Sequence, residues 1–305
     1  MVCYLAEPGD NSGSMHTRHT HSPPPTSCEE RYTQVDGLAT FSRTMGEGQD
    51  VVLIHGAGVS SRYWVPAQRW LAELGPYRVH ALDLPGFGRS DDPPWPPELP
   101  QLARHVEGWL EQHVPGCCHL VGQSVGCEIA VLVAVALPER VQSVVLAGPA
   151  GLPSLHSVCA QIFEAGLDAF RERWQLFPAI LPDYLRCGPQ RFFRLLMEQK
   201  HCHVEPLLPK LEKPVLVLRG RHDAVAPERR VERVAALLPN ATITTVPGAH
   251  GAHYTHARPF AEVVTRYLRR VESPTPPAGT PVGSPVPLLR ATDPTAAGTT
   301  PRPGG

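Results

Sequence analysis

The chain has 305 residues, 42% of them hydrophobic, and its 28 basic and 29 acidic side chains leave a formal net charge of −1 at pH 7. So even a balance argues against nucleic acid or a membrane surface as partner. No apolar stretch approaches the roughly 20 residues that a bilayer span needs; the longest, 129–137, has the length of a buried helix.

In chain order, residues 1–30 are rich in Ser, Pro, His and Thr and are expected to be disordered. They carry no basic region followed by an apolar run, so they do not read as a secretory signal and the expected location is the cytoplasm. The stretch 32–45, with its Asp-Gly turn, predicts a leading hairpin. Short runs rich in Val, Ile and Leu at 50–56, 78–86, 118–124, 141–149, 214–220 and 241–248 predict strands, each ending near Gly, Pro or Asp. Helical patterns fill 61–74, 99–114, 125–138, 227–238 and 258–271. Several strands are apolar on both faces, as strands covered by helices on both sides must be. This alternation predicts an α/β fold with an open, doubly wound, mostly parallel sheet, whose functional groups gather where strands end and helices begin.

From 151 to 214 the rhythm breaks. Leu155, Val158, Ile162, Phe163, Leu167, Phe170 and Trp174 recur at helical steps, and 189–199 is a second helical piece. An insertion of about 60 residues is too long for a connection and is expected to cap the carboxyl edge of the sheet, with bounds of about 152–212. Beyond Ser273 the chain is Pro- and Gly-rich and is expected to be disordered, which leaves 31–272 as the folded domain. The eight cysteines form no CxxC pair and are expected to be reduced thiols. The histidines of MHTRHTH and of HCH (201–203) lack acidic or Cys partners at ligand spacing, so no metal is expected.

One serine sits oddly in this pattern. Ser124, in HLVGQSVGCEIAV, ends an apolar strand and begins an apolar helix, with Gly122 and Gly126 two residues to either side. A direct strand-to-helix turn is so tight that bulk is excluded at those flanking positions, and it pushes the apical hydroxyl out at the sheet edge. A helix cap would also place a serine there. A nucleophile, however, needs a base, and the base an orienting carboxylate. Asp223 follows the strand at 214–220, and His250 follows the strand at 241–248. The order Ser, Asp, His is that of the nucleophile-elbow arrangement. His253 and His256 also lie in GAHGAHYTHARP and compete for the role of base. Donors for an oxyanion are expected from the backbone N–H groups of Ala57, in LIHGAG, and Val125.

Taken together, LIHGAG, ALDLPGFGRSDDP, LVGQSVG, VLRGRHDAVAP and VPGAHGAHYTHARPF resemble the α/β-hydrolase fold family over about residues 40–272. The resemblance implies a Ser124–His250–Asp223 triad, a helical cap after the sixth strand and hydrolysis without a cofactor. Asp83, Gly86, Gly88 and Ser90 match a turn of architectural role. The expected function is a serine hydrolase acting on a small or medium acyl substrate, most simply a carboxylic ester. Carbon–carbon bond or lactone hydrolysis, or binding without catalysis, are the alternatives. Gly56, Trp64, Gln123, Phe163, Phe170 and Trp174 are expected to contact the substrate, with Tyr63 near the entrance, while Arg171, Arg173, Arg191 and Arg194 are expected on a solvated helix face.

Overall fold

The computed structural model describes residues 27–94, 98–151, 176–202 and 204–273. Eight strands form one sheet: β1 Cys28–Val35, β2 Leu38–Met45, β3 Gln49–Ile54, β4 Tyr77–Leu82, β5 Cys118–Gln123, β6 Val141–Ala147, β7 Val215–Gly220 and β8 Ala241–Val246. Their spatial order is β1-β2-β4-β3-β5-β6-β7-β8. The first hairpin is antiparallel and β2 joins β4 antiparallel, whereas every pairing from β4 through β3 to β8 is parallel. The hairpin turns at Asp36 and Gly37, both with positive φ (50° and 79°), the pairing that a tight two-residue turn demands.

The helices are α1 Val65–Leu74, α2 Leu99–His113, α3 Val125–Ala136, α4 Leu176–His201, α5 Glu228–Leu237 and α6 Ala257–Glu272. Val51 and Leu53 of β3 bury themselves among residues of α1 and α6, while their neighbours Val52 and Ile54 pack with α2, α3 and α5. A strand alternates its side chains between faces, so covering both faces is what makes these strands apolar throughout. The helix expected at 61–74 begins with a 3₁₀ turn, Ser61–Trp64, before α1 takes over at Val65. Pro66, which has no N–H to donate, sits in the first helical turn where none is needed.

Within the interval that breaks the strand pattern, α4 runs from Leu176 to His201 and bends at Gly188, whose φ of 71° and ψ of 158° are not helical. Pro189 follows immediately and cannot bond back across the bend. Residues 152–175, with Phe163, Phe170, Arg171, Arg173 and Trp174, lie outside the described residues, as do both chain ends and the side chain of Phe177.

Candidate active site

Parallel strands end on the same edge of the sheet, and three of those ends carry Ser124, Asp223 and His250. After β5, Ser124 adopts φ 52° and ψ −121°, a conformation that costs a non-glycine residue about 1–3 kcal/mol. The turn is locked by hydrogen bonds from the Ser124 N–H to the Ala147 carbonyl (3.0 Å) and from the Cys127 N–H to the Ser124 carbonyl (2.9 Å). The two flanking glycines are needed for space. A Cβ on Gly122 would overlap the Gly126 carbonyl, and one on Gly126 would overlap the carbonyl of Ile54 in β3. Gly126→Ala is therefore expected to destabilise the fold by about 1–3 kcal/mol or more, read from urea unfolding. A loss below about 0.5 kcal/mol, the range of neutral surface changes, would mean that α3 and β3 can part without cost.

After β7, Asp223 is buried, at 2% exposure. Its Oδ2 accepts from His250 Nδ1 at 3.1 Å and its Oδ1 from the Ala226 N–H at 2.7 Å. Burial pushes the carboxyl up, but the charge and hydrogen bond of His250, the Ala226 N–H and the charge of Arg219 together hold it below the usual carboxylate value. It is a carboxylate, and the proton on His250 Nδ1 faces it. The remaining ring nitrogen, Nε2, is then the one available to take a proton. Gly148, after β6, makes room for this pair: a Cβ there would lie 2.9 Å from His250 Nδ1 and 3.1 Å from Asp223 Oδ2.

A cavity of about 160 Å³ connects these elements, with Ser124, His250, Ala57 and Gln123 on its wall. Gly56 lies against Ser124, since a Cβ on it would come within 3.1 Å of the Ser124 Cβ. Val125 is the first residue of α3, where backbone N–H groups lack helical partners and the helix dipole is positive. His55 fixes the loop that carries Ala57. Its Nε2 accepts from the Leu84 N–H at 3.0 Å, so the proton sits on Nδ1, which donates to the Gly56 carbonyl at 2.8 Å. Burial keeps this ring neutral by pulling its pKa down. Asp83 braces the same region, accepting from the N–H groups of Ser61 and Arg89.

Two expectations need correction, and the competing histidine is also located. Trp64 does not line the cavity: it is fully buried, and its ring packs on His253 (4.4 Å between centroids) and Phe260 (6.0 Å) beneath the site. The preceding residue of the 3₁₀ turn, Tyr63, lines the cavity instead. Arg191 is not simply solvated, because it pairs with Asp92 at 3.0 Å and donates to the Gly86 carbonyl, tying α4 to the loop after β4. His253, the competitor for the role of base, is buried among Tyr63, Trp64 and Phe260, and burial, then the charge of His250, pushes its pKa down to about 3.

Of the remaining features of the site, only the aromatic Phe192 of the inserted helical segment is suggested by the sequence as part of an apolar pocket. Ile180, Tyr184, Phe192 and Leu196 of α4 supply an apolar wall, and Asp183 accepts from Ser60 Oγ at 2.6 Å. Gln199 lines the cavity and binds the buried carboxyl of Glu128 at 2.8 Å. The one available signal for that pair was the acidic residue interrupting the apolar helix after Ser124. Among the described residues no group of His, Cys, Asp and Glu is arranged to hold a metal ion, and no helix is long and apolar enough to cross a membrane. Cys28, Cys117, Cys118, Cys127, Cys187 and Cys202 are unpaired thiols.

Fold and site together define a family. Residues 51–266 match the alpha/beta hydrolase family, and the chain belongs to it. It is 26% identical over 268 residues to a 2-hydroxy-6-oxononadienedioate/2-hydroxy-6-oxononatrienedioate hydrolase of Comamonas testosteroni, covering 76% of this chain and 93% of that one. It is 27% identical over 260 residues to a pimeloyl-[acyl-carrier protein] methyl ester esterase of Aeromonas hydrophila, covering 73% and 96%. A thermophilic esterase from Thermogutta terrifontis shares the fold, with a TM-score of 0.69 at 20% identity over 80% of this chain and 100% of that one.

Proposed function

We propose that this protein is a serine hydrolase that cleaves a small or medium acyl substrate, most simply a carboxylic ester, through an acyl-enzyme. The observation that carries this reading is the pairing of His250 with the buried Asp223 carboxylate on the wall of the cavity that also holds the strained Ser124. His250 Nε2 takes the hydroxyl proton as Ser124 Oγ attacks the carbonyl carbon, and Asp223 holds the ring in the right tautomer. The N–H groups of Ala57 and Val125 receive the oxyanion, a contribution of about 3–4 kcal/mol for each good donor. His250 then passes its proton to the leaving alcohol, an acyl group remains on Ser124, and water activated by the same imidazole releases it. Every proton and bond in this cycle is handled by side chains and water, so it calls for no cofactor.

A second reading, hydrolysis of a carbon–carbon bond in a β-diketone-like substrate, is supported by the likeness to the Comamonas 2-hydroxy-6-oxononadienedioate hydrolase. The two share the nucleophile and differ in the leaving group. A fluorophosphonate probe tests what they have in common: a covalent adduct located on Ser124 by peptide mass spectrometry is expected. A protein that stays unlabelled while folded would be a binder on a hydrolase fold, and the reading would fall.

A further inference from the structure

The cavity wall is apolar around Ile180, Phe192 and Leu196, yet one polar side chain among them is fixed from behind. Gln199, near the end of α4, is 2% exposed and lines the cavity with Ser124 and His250. Its Nε2 donates at 2.8 Å to Oε1 of Glu128, itself 1% exposed, while Glu128 Oε2 has no hydrogen-bond partner among the described residues. Gly151 closes the pair in: a Cβ there would lie 2.7 Å from Gln199 Nε2 and would overlap the Glu128 carboxyl. Burying an amide and a carboxyl against each other is unfavourable compared with two well-packed apolar side chains. The position is informative too. Glu128 lies four residues beyond Ser124 on α3, about 6 Å along the helix axis, so a five-atom acyl chain running from Ser124 along that wall would bring its far end to the level of the pair.

We propose that Gln199, held in place by Glu128, is a specificity-determining residue that favours acyl groups carrying a neutral hydrogen-bonding group near their far end, an amide above all, and disfavours those ending in a carboxylate. With one N–H engaged by Glu128, the amide keeps a second N–H and its carbonyl oxygen, a complement to another amide. A substrate carboxylate placed there would lose its hydration against a poorly solvated wall that offers no Lys or Arg among its described lining residues. The nearby guanidinium of Arg230 donates to the carbonyls of Ala150 and Val225 and is not on the cavity wall among the described residues.

This inference rests on Ser124 as the acylated residue, and its test keeps the two apart. Three p-nitrophenyl esters of matched chain length serve as probes: hexanoate, glutaramate and hemiglutarate, each corrected for spontaneous hydrolysis. The wild-type chain is expected to favour glutaramate over hemiglutarate by tenfold or more in kcat/KM. In Gln199→Leu the glutaramate-to-hexanoate ratio is expected to fall about tenfold; Gln199→Met, unbranched and close in length, serves as a second variant should the first fail to fold. Wild-type turnover of all three esters without discrimination, or an unchanged ratio in a folded variant, would overturn the inference and leave the hydrolase reading standing. If none of the three is turned over and no fluorophosphonate adduct forms on Ser124, both fall.

Discussion

Replacing Ser124 with alanine is expected to lower kcat for a p-nitrophenyl ester by about 10⁴–10⁶-fold while leaving the circular dichroism spectrum unchanged. Alanine keeps the backbone of the turn and removes the one oxygen that forms the acyl-enzyme. His250→Ala is expected to lose nearly as much, and the double variant little more than either alone, because nucleophile and base act as a unit. His253→Phe makes the contrasting case. Its ring sits 4.2 Å from Tyr63 and 4.4 Å from Trp64 in the packed layer under the site, where an aromatic ring can replace it, so turnover is expected to persist. Ester hydrolysis surviving in Ser124→Ala would refute the covalent mechanism; hydrolysis lost in a folded His253→Phe but kept in His250→Ala would exchange the roles of the two histidines.

The second large effect concerns stability. Glu128 is fully enclosed one turn beyond the nucleophile, and burial pushes its carboxyl from the ordinary 4.5 up to about 8. The folded chain therefore holds a proton between these values that the unfolded chain has released. Stability contributed by this group is whole below pH 4.5, declines as pH rises through the window and is gone above pH 8. Each pH unit of that window removes about 1.36 kcal/mol, so the full loss is on the order of 5 kcal/mol. Glu128→Gln, close in shape to the protonated acid, is expected to be nearly neutral at about pH 5 and stabilising by up to that amount at about pH 9, as read from urea unfolding at both pH values. A benefit that differs by less than about 1 kcal/mol between them would show that the carboxyl ionises without penalty.

The sheet and its two helical layers are legible from the chain because burial on both faces leaves an unmistakable composition: Val51 to Ile54 are all apolar since successive residues serve opposite cores. The elbow is legible for a similar reason, as only glycine fits where α3 crosses β3. Adjacent residues were harder to separate. Tyr63 and Trp64 are both aromatic and occupy one 3₁₀ turn, so composition cannot tell which meets the cavity and which the core. His250 and His253 pose the same problem: three residues apart in sequence, one meets the Asp223 carboxylate and the other is enclosed by aromatic rings. Gln199 and Glu128 stand 71 positions apart, and no local pattern announces such a pairing.

The bend at Gly188 divides α4 into two arms, each moored to the sheet-edge loops. Asp183 ties the first arm to Ser60, beside the loop of Ala57, and Arg186 ties it to Ser90 after β4. Arg191 and Gln199 tie the second to the loop after β4 and to the helix that begins at the nucleophile. Both arms line the cavity, Ile180 and Tyr184 from the first and Phe192, Leu196 and Gln199 from the second, so a different angle at Gly188 would shift one set of wall residues relative to the other. Substitutions at that bend would reshape the cavity without touching Ser124, Asp223 or His250.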